Sequence, residues 1–98
     1  MVVIHGSVLI RTDRLDDALR LSLEHVHRSR GEPGCLSHAV HRDCEEPRRL
    51  VFIETWANEA SVREHFKAQA SRAFVAELAA MAEVAPDMTI YSATRVVV

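Results

Sequence analysis

The pattern of apolar and polar residues predicts four strands and two helical segments. Residues 2–10 are rich in β-branched side chains and run into turn-forming residues, which is typical of a strand. Residues 35–42 and 50–56 have the same character, and the polar, proline-containing segment DCEEPRR separates them, so we expect an antiparallel hairpin with a long loop. Residues 88–98 form the predicted last strand.

The helices follow from apolar residues that recur every three or four positions. The first is predicted to begin at Asp13, a candidate N-cap, and to run to about Ser29, before the loop GEPG. The second begins after Asn58, a favourable N-cap, and Ser71 is expected to cap a further helical piece that Pro86 ends. The residues expected on the inner faces are Leu15, Ala18, Leu19, Ser22, Leu23 and Val26 in the first helix, and Phe74, Leu78 and Met81 in the last piece.

This order of elements belongs to the α+β class and matches the ferredoxin-like βαββαβ arrangement. The length of 98 residues suits one domain over residues 1–98. In this topology both helical segments cover one face of a four-stranded sheet and leave the other face bare.

Alternation along the strands assigns side chains to the two faces of the sheet. We expect the aliphatic sets of the first and third strands to meet the helices and the aromatic residues to lie on the open face. The residues expected toward the helices are Ile4, Val8, Ile10, Val51, Ile53 and Thr55, and those expected on the open face are Val3, His5, Ser7, Leu9, Leu50, Phe52, Glu54 and Trp56. Such a patch is larger than soluble monomers usually expose. It predicts a homodimer that packs sheet against sheet and leaves a pocket in each subunit.

Composition and charge argue against several classes of function. The formal net charge is −2 and the cations are interspersed with acids, so no basic stripe is available for nucleic acid. No apolar run approaches the roughly 18 residues that span a bilayer, and the start of the chain lacks the features of a signal peptide. Cys35 and Cys44 lie at opposite ends of one predicted strand, too far apart for a disulfide. We therefore expect a cytoplasmic protein without a membrane or nucleic-acid partner.

The sequence contains no motif for a metal or an organic cofactor. His25 and His27 diverge on a helix, His38 and His41 point to opposite faces of a strand, and no HExxH occurs. The glycines match neither GxGxxG nor a P-loop. The expectation is no metal site and no cofactor, which limits an enzyme to acid–base chemistry, electrostatic stabilisation and confinement of a reactive substrate.

The segment FIETWANEASVREHF carries the candidate polar residues. Glu54 lies within an apolar strand, where a carboxylate is costly unless it is paired, hydrated or used. It is either a functional group or a structural bridge to an arginine or to water at the dimer interface. Trp56 is expected in the interface or in a pocket wall. His65 lies at the border of the buried stripe of its helix, where it is either structural or able to exchange a proton near neutral pH.

The segments EPGCLSHAVHRD, FIETWANEASVREHF and SRAFVAELAAM resemble the antibiotic biosynthesis monooxygenase family, and the resemblance covers nearly the whole chain. It implies a dimeric α+β barrel with one cavity per subunit, and the oxidation of phenols or hydroquinones to quinones by O₂ without flavin, haem or metal. Trp56 matches a pocket tryptophan of several members, and His65 matches a recurring helix histidine. Haem-degrading relatives use an asparagine on the first strand, where this chain offers only His5 or Ser7, so haem degradation is less favoured.

The leading hypothesis is a cofactor-independent monooxygenase that acts on a small phenol, hydroquinone or polyketide-like aromatic with O₂. Its candidate catalytic residues are His65 and Glu54. The candidate substrate-binding residues are Trp56, Phe52, His5 and Tyr91. The alternatives are an isomerase or lyase acting on a small oxygenated metabolite, and a non-catalytic binding or stress-related dimer. A cavity reached by Glu54 or His65 favours catalysis, whereas an interface packed solid by Leu50, Phe52 and Trp56 argues against both kinds of enzyme.

Overall fold

The computed structural model describes residues 1–98 and contains one antiparallel sheet with three helices on one of its faces. The strands are β1 (Val2–Ile10), β2 (Cys35–Arg42), β3 (Arg49–Trp56) and β4 (Ala82–Ser92), in the spatial order β2-β3-β1-β4. The helices are α1 (Leu15–Ser29), α2 (Glu59–Lys67) and α3 (Gln69–Met81). This is the predicted α+β, ferredoxin-like fold. None of the helices is long and apolar enough to cross a membrane.

The first helix and the start of the second are confirmed. Helix α1 ends at Ser29, whose Oγ donates to the carbonyl oxygen of His25 at 2.7 Å. Helix α2 is capped by Asn58, whose Oδ1 accepts the backbone N–H of Ser61 at 2.9 Å. Gly34, with φ of 82°, lies against the Ser61 side chain, where a Cβ would overlap the hydroxyl group. Only glycine satisfies both the backbone angle and this close approach, so the loop before β2 is packed directly onto the first turn of α2.

Two predicted helix caps are wrong. Asp13 lies in a short 3₁₀ turn (Thr12–Arg14), and no side chain caps the first helix. Ser71 lies in the first turn of α3 rather than before it, because Ala68 adopts an extended conformation with ψ of 131° and breaks the helix there. The Ser71 side chain is instead buried and lies 3.5 Å from Nδ1 of His65. A cap assigned from residue type alone misses this break, because alanine carries no helix-stopping signal.

The last strand starts earlier than predicted. It begins at Ala82, directly after α3, whereas the sequence pattern favoured residues 88–98. Pro86 does not end a helix; it lies within β4, beside a register shift between the β1 residues Ser7 and Leu9. A proline is compatible with this place because β4 is an edge strand and the shift interrupts the hydrogen-bond ladder.

The assignment of side chains to the two faces is right for β1 and wrong for β3. Opposed residues of an antiparallel pair share a face, and Val8 is opposite Leu50 while Ile4 is opposite Glu54. The β3 residues that face the helices are therefore Leu50, Phe52, Glu54 and Trp56, and those on the open face are Val51, Ile53 and Thr55. Both sets contain apolar residues, so alternation separates them correctly but only the register shows which set is inside.

The buried side chains form two clusters between the sheet and the helices. The larger contains Val8, Ile10, Ala18, Val26, Leu50, Phe52, Phe74, Leu78 and Met81, and the smaller contains Val2, Ile4, Trp56 and Val62. Glu54 lies on β3 between Phe52 of the larger cluster and Trp56 of the smaller one. A carboxylate is thus placed in the middle of the core.

Candidate functional site

Three histidines from three different elements meet in this core. His25 of α1, His38 of β2 and His65 of α2 are 4%, 2% and 2% exposed. One ring nitrogen of each lies within 4.8 Å of a ring nitrogen of the other two. Helical spacing places His25 on the buried side of α1, and strand pairing places His38 directly opposite Glu54. We call His25, His38, His65 and Glu54 the histidine cluster.

Oxygen Oε1 of Glu54 is the atom on which the cluster converges. It accepts the indole N–H of Trp56 at 2.8 Å and lies 3.3 Å from Nε2 of His38 and 3.9 Å from Nε2 of His65. Burial raises the pKa of Glu54, but the neighbouring His38, Trp56 and His65 outweigh burial and lower the pKa below its ordinary value. The core therefore holds an ionised carboxylate at neutral pH.

His38 is the unsatisfied member of the cluster. Its side chain is 0% exposed, and neither ring nitrogen makes a hydrogen bond. The Nε2 atom is close to Glu54, but the two groups are not aligned for a hydrogen bond at their 3.3 Å separation. Buried polar groups are nearly always hydrogen-bonded, so this ring is an exception, paired with Glu54 by charge alone.

His65 is held by a second carboxylate. Its Nδ1 lies 3.0 and 3.1 Å from the two oxygens of Glu32, in the loop before β2. Because an ionised carboxylate only accepts hydrogen bonds, the hydrogen of a neutral His65 ring is on Nδ1 and the lone pair is on Nε2. Glu32 therefore fixes the tautomer and leaves Nε2 free to accept a proton.

His25 is a neutral member of the cluster. Its ring stacks on Phe74 with centroids 3.9 Å apart and planes 6° from parallel, and Arg28 Nη2 lies 2.6 Å from its Nδ1. Burial, together with the neighbouring His38, His65 and Arg28, lowers the pKa of His25 to about 3. A guanidinium group can only donate, so the ring hydrogen of His25 is on Nε2 in this arrangement.

The cluster borders a cavity of about 570 Å³ between the sheet and the helices. Its buried lining residues are Ile4, Val8, His25, Phe52, Glu54, His65, Ser71, Phe74 and Leu78, and its exposed rim includes Phe66, Arg72, Val75, Pro86, Asp87 and Met88. The volume is in the range of small-molecule sites, and a mostly apolar wall with a few converging polar groups is their usual composition. Two of those groups, Glu54 and His65, are the residues predicted to be catalytic.

The other predicted site residues separate into two groups. Phe52 lines the cavity, and Trp56 lies behind Glu54 as its hydrogen-bond donor and is not part of the cavity wall. His5 and Tyr91 are exposed and do not line this cavity; they lie opposite Ile53 and Val3, which are on the open face. The structure thus brings His65, Glu54 and Phe52 together and leaves His5 and Tyr91 on the other side of the sheet.

Three residues of the site were missed by the sequence analysis. His25 and His38 were rejected as metal ligands because the neighbouring histidines His27 and His41 point away from them. That argument is right for each local pair, but it does not address pairing between distant elements. A signal was present for His25, since it falls on the same helical face as Ala18 and Ser22. Glu32 gave no signal, because a loop carboxylate is ordinarily solvated.

The antiparallel βαββαβ sheet with helices on one face and a cavity between them defines a ferredoxin-like α+β protein. The sequence profile described as antibiotic biosynthesis monooxygenase matches residues 1–77. The chain belongs to this family, as the sequence resemblance indicated.

The chain is also similar to a known sequence and to solved structures. An uncharacterised protein of Synechocystis is 30% identical over 87 residues, which are 89% of this chain and 54% of that protein. The chain thus spans about half the length of this curated relative. A crystal structure described as an antibiotic biosynthesis monooxygenase has a TM-score of 0.89 at 25% identity, covering 97% of this chain and 100% of that one. A Deinococcus radiodurans protein, described as a candidate member of the same family, has a TM-score of 0.94 at 22% identity, covering 99% and 96% of the two chains. That last similarity shows the fold alone.

Proposed function

We propose that this protein is a monooxygenase that oxidises a small phenol or hydroquinone to a quinone with O₂. Amino-acid side chains serve as the general acid and the general base. The observation that carries the proposal is His65, which lines the cavity while Glu32 holds its Nδ1. A histidine fixed in one tautomer by a carboxylate is the arrangement of a general base. Membership of the antibiotic biosynthesis monooxygenase family supports the reaction class.

The cavity suits an aromatic substrate. Phe52 and Phe74 lie in its wall with ring centroids 5.9 Å apart and planes at 68°. Aromatic side chains of this kind offer an apolar surface on which a phenol ring can stack. The phenol hydroxyl would then point toward Nε2 of His65, the polar end of the cavity, and the low local polarity would favour electron transfer from the phenolate over its hydration.

In the proposed reaction, Nε2 of His65 accepts the phenol proton, and the phenolate gives one electron to O₂ to form a phenoxyl radical and superoxide. The radicals combine at the ring carbon opposite the hydroxyl, and His65 returns its proton to make the hydroperoxide. That carbon then loses its hydrogen as a proton while the O–O bond breaks, so the C–H electron pair completes the new C=O. The departing hydroxide combines with the proton, and one phenol and one O₂ give one quinone and one water.

The negatively charged Glu54 has a supporting role in this scheme. Its Oε1 lies 3.9 Å from Nε2 of His65, close enough to stabilise the imidazolium that forms when the substrate proton is accepted. Trp56 holds this carboxylate in place through the indole N–H. Glu54 therefore acts through His65 and does not need to touch the substrate.

The test is oxygen uptake by metal-free and flavin-free protein with a panel of phenols and hydroquinones, coupled to ¹⁸O₂ labelling of the product. A monooxygenase places one labelled atom in the quinone and one in water, whereas a simple oxidase forms hydrogen peroxide and leaves the quinone unlabelled. His65→Ala should lower the rate about 10²- to 10⁴-fold. The matched control is His41→Ala, because His41 is exposed and lies outside the cluster. Absence of uptake with every compound, from protein that remains folded, would contradict the proposal.

We also propose that the protein is a homodimer joined through the open face of the sheet. This face carries Val51 and Ile53 of β3 and Tyr91 of β4, and Ile53 and Tyr91 are 42% and 53% exposed in the single chain. Exposed apolar residues on a sheet face without helices are the kind of surface that a two-fold partner covers. Sedimentation velocity at micromolar concentration is expected to give twice the mass of the chain.

A further inference from the structure

The histidine cluster has the donor set of a metal centre. Three buried imidazoles converge from α1, β2 and α2, and the carboxylate of Glu54 on β3 lies beside two of them, His38 and His65. Imidazole is the ligand that Zn²⁺ and its neighbours in the first transition series favour. These residues are far apart in the sequence, so they form no motif of characteristic spacing. Converging from four elements, they are held in position by the fold itself.

His38 provides an independent observation that points to a ligand in this cluster. Both of its ring nitrogens are buried and without a hydrogen bond, although a carboxylate oxygen lies 3.3 Å from Nε2. The ring has given up its solvation by water, and the charge of the Glu54 carboxylate beside Nε2 compensates this loss without a hydrogen bond. Coordination through Nε2 would give it a partner directly.

Glu32 supplies the supporting shell that metal-bound histidines usually have. Its carboxylate holds Nδ1 of His65 at 3.0 Å, so Nε2 of His65 is directed toward Glu54 with its lone pair available. At protein zinc sites a carboxylate commonly binds the second ring nitrogen of a metal-bound histidine. This outer carboxylate fixes the tautomer of the histidine and raises its basicity as a ligand. The carboxylate–histidine part of this arrangement is present here, with Glu32 in the loop before β2 and His65 on α2.

We propose that His25, His38 and His65, together with Glu54, bind one divalent first-row transition-metal ion. The primary ligands are Nε2 of His38, Nε2 of His65 and Oε1 of Glu54. His25 completes the set when Arg28, which lies at the surface end of this contact, releases its Nδ1 and the ring hydrogen moves to that atom. At metal–nitrogen distances of about 2.0–2.1 Å the ligand atoms close in by roughly 1 Å, a side-chain adjustment.

This inference does not depend on the proposed oxidation. Metal binding would nevertheless affect the proposed oxidation, because the metal ion and the substrate proton would both require Nε2 of His65. A bound ion is therefore expected to inhibit oxidation that uses His65 as a base. Direct measurement of binding, without substrate or O₂, separates the two proposals.

The experiment uses chelator-treated protein without a histidine tag, titrated with Zn²⁺ in a calorimeter and with Co²⁺ in a spectrophotometer. The expected result is one ion per chain and visible Co²⁺ absorption typical of a four- or five-coordinate centre. His38→Ala should weaken binding at least about 10²-fold, and Glu32→Gln, which leaves all four ligands in place, should weaken it about 10- to 100-fold. The matched controls are His27→Ala on α1 and His41→Ala on β2, both at exposed positions of the same elements.

The outcomes decide the proposal in either direction. Loss of binding in the His38 and Glu32 variants, with both controls unchanged, supports it. Absence of binding to the wild-type protein, or equal weakening in the control variants, overturns it. Circular dichroism of each variant guards against misfolding, and Glu32→Gln keeps the test valid should His38→Ala not fold.

Discussion

Strand β3 places different polar residues on the two faces of the sheet. On the covered face, β3 contributes Glu54 and Trp56, which are 7% and 0% exposed and hydrogen-bonded to each other at 2.8 Å. On the open face, the same strand contributes Thr55, whose hydroxyl pairs with Ser37 at 2.6 Å in solvent. Successive residues of β3 thus place one polar pair in the core and the next at the surface.

The two polar pairs differ in what their burial requires. A buried carboxylate must be matched by donors, or its desolvation costs several kcal/mol. The core supplies Trp56, His38 and His65 around Glu54, and the neighbouring cavity gives this arrangement access to small molecules. The open face has no such cluster, and its apolar residues suit association between chains. The proposed oxidation site and the proposed dimer surface thus lie on opposite faces of one sheet.

The largest expected effect is the removal of Trp56 from the covered face. Trp56→Ala leaves a large cavity and leaves Glu54 without its donor, so the free energy of unfolding should fall by about 3–5 kcal/mol. Urea denaturation followed by circular dichroism measures this. Trp56→Phe keeps most of the volume and removes mainly the hydrogen bond, for which a loss of about 1–3 kcal/mol is expected. Equal stability of the wild-type and Trp56→Phe proteins would show that the hydrogen bond to Glu54 has no structural weight.

A charge on the open face should act on assembly rather than on the fold of the chain. Ile53→Asp places a carboxylate in the proposed dimer surface, where it is costly to bury. We expect the dimer to dissociate at micromolar concentration, at least about 100-fold more readily, while the circular dichroism spectrum is retained. Sedimentation velocity measures the change.

The matched control for this variant is Leu23→Asp. Leu23 was expected on the inner face of its helix, but it is 47% exposed on α1, away from the open face, so this carboxylate should leave the mass unchanged. A dimer that survives Ile53→Asp would place the interface on another surface. Dissociation in both variants would indicate general destabilisation instead.

The presence and order of the strands and helices could be predicted from the sequence, because they follow from local periodicity. The start of β4 at Ala82 and the helix break at Ala68 could not be predicted in this way. The faces of β3 could not, because Leu50 and Val51 are equally apolar and only pairing with β1 distinguishes them. For the same reason His65 and Glu54 were found as candidates, whereas the cluster around them was not. His25 and His38 are separated along the chain and come together only through the packing of α1 on β2. Site residues on one local segment are visible in a sequence, and contacts between distant segments are not.

Lowering the pH should reduce the free energy of unfolding before the carboxylates of the covered face titrate. His25 resists protonation in the folded chain down to a pKa of about 3, against an ordinary value of 6.5. Between these two pH values the unfolded chain binds more protons than the folded chain. The contribution of the neutral His25 ring to the free energy of unfolding is therefore complete above pH 6.5 and is lost as the pH falls. The free energy of unfolding should fall by at most about 1.4 kcal/mol per pH unit from this one group.

The measurement is urea denaturation of chelator-treated protein from pH 7.5 to 5, a range above the ordinary pKa of Glu54. Glu54 adds its own loss only at lower pH, because its lowered pKa keeps stability that disappears as the pH falls through the folded value. His25→Phe preserves an aromatic ring against Phe74 and should flatten the slope. Identical slopes in the wild-type and variant proteins would assign the pH dependence to other groups.

The smallest expected effect is the loss of the polar pair on the open face. Ser37→Ala removes the hydroxyl that bonds to Thr55, but water can replace it at this exposed position. In the monomeric Ile53→Asp background the free energy of unfolding should therefore change by no more than about 0.5 kcal/mol. The same substitution in the wild-type dimer tests whether the partner buries the pair, because an unsatisfied Thr55 hydroxyl in a dry interface would cost about 1–3 kcal/mol. A loss that is larger in the dimer than in the monomer would place Thr55 inside the interface, and equal small losses would leave it at the wet rim.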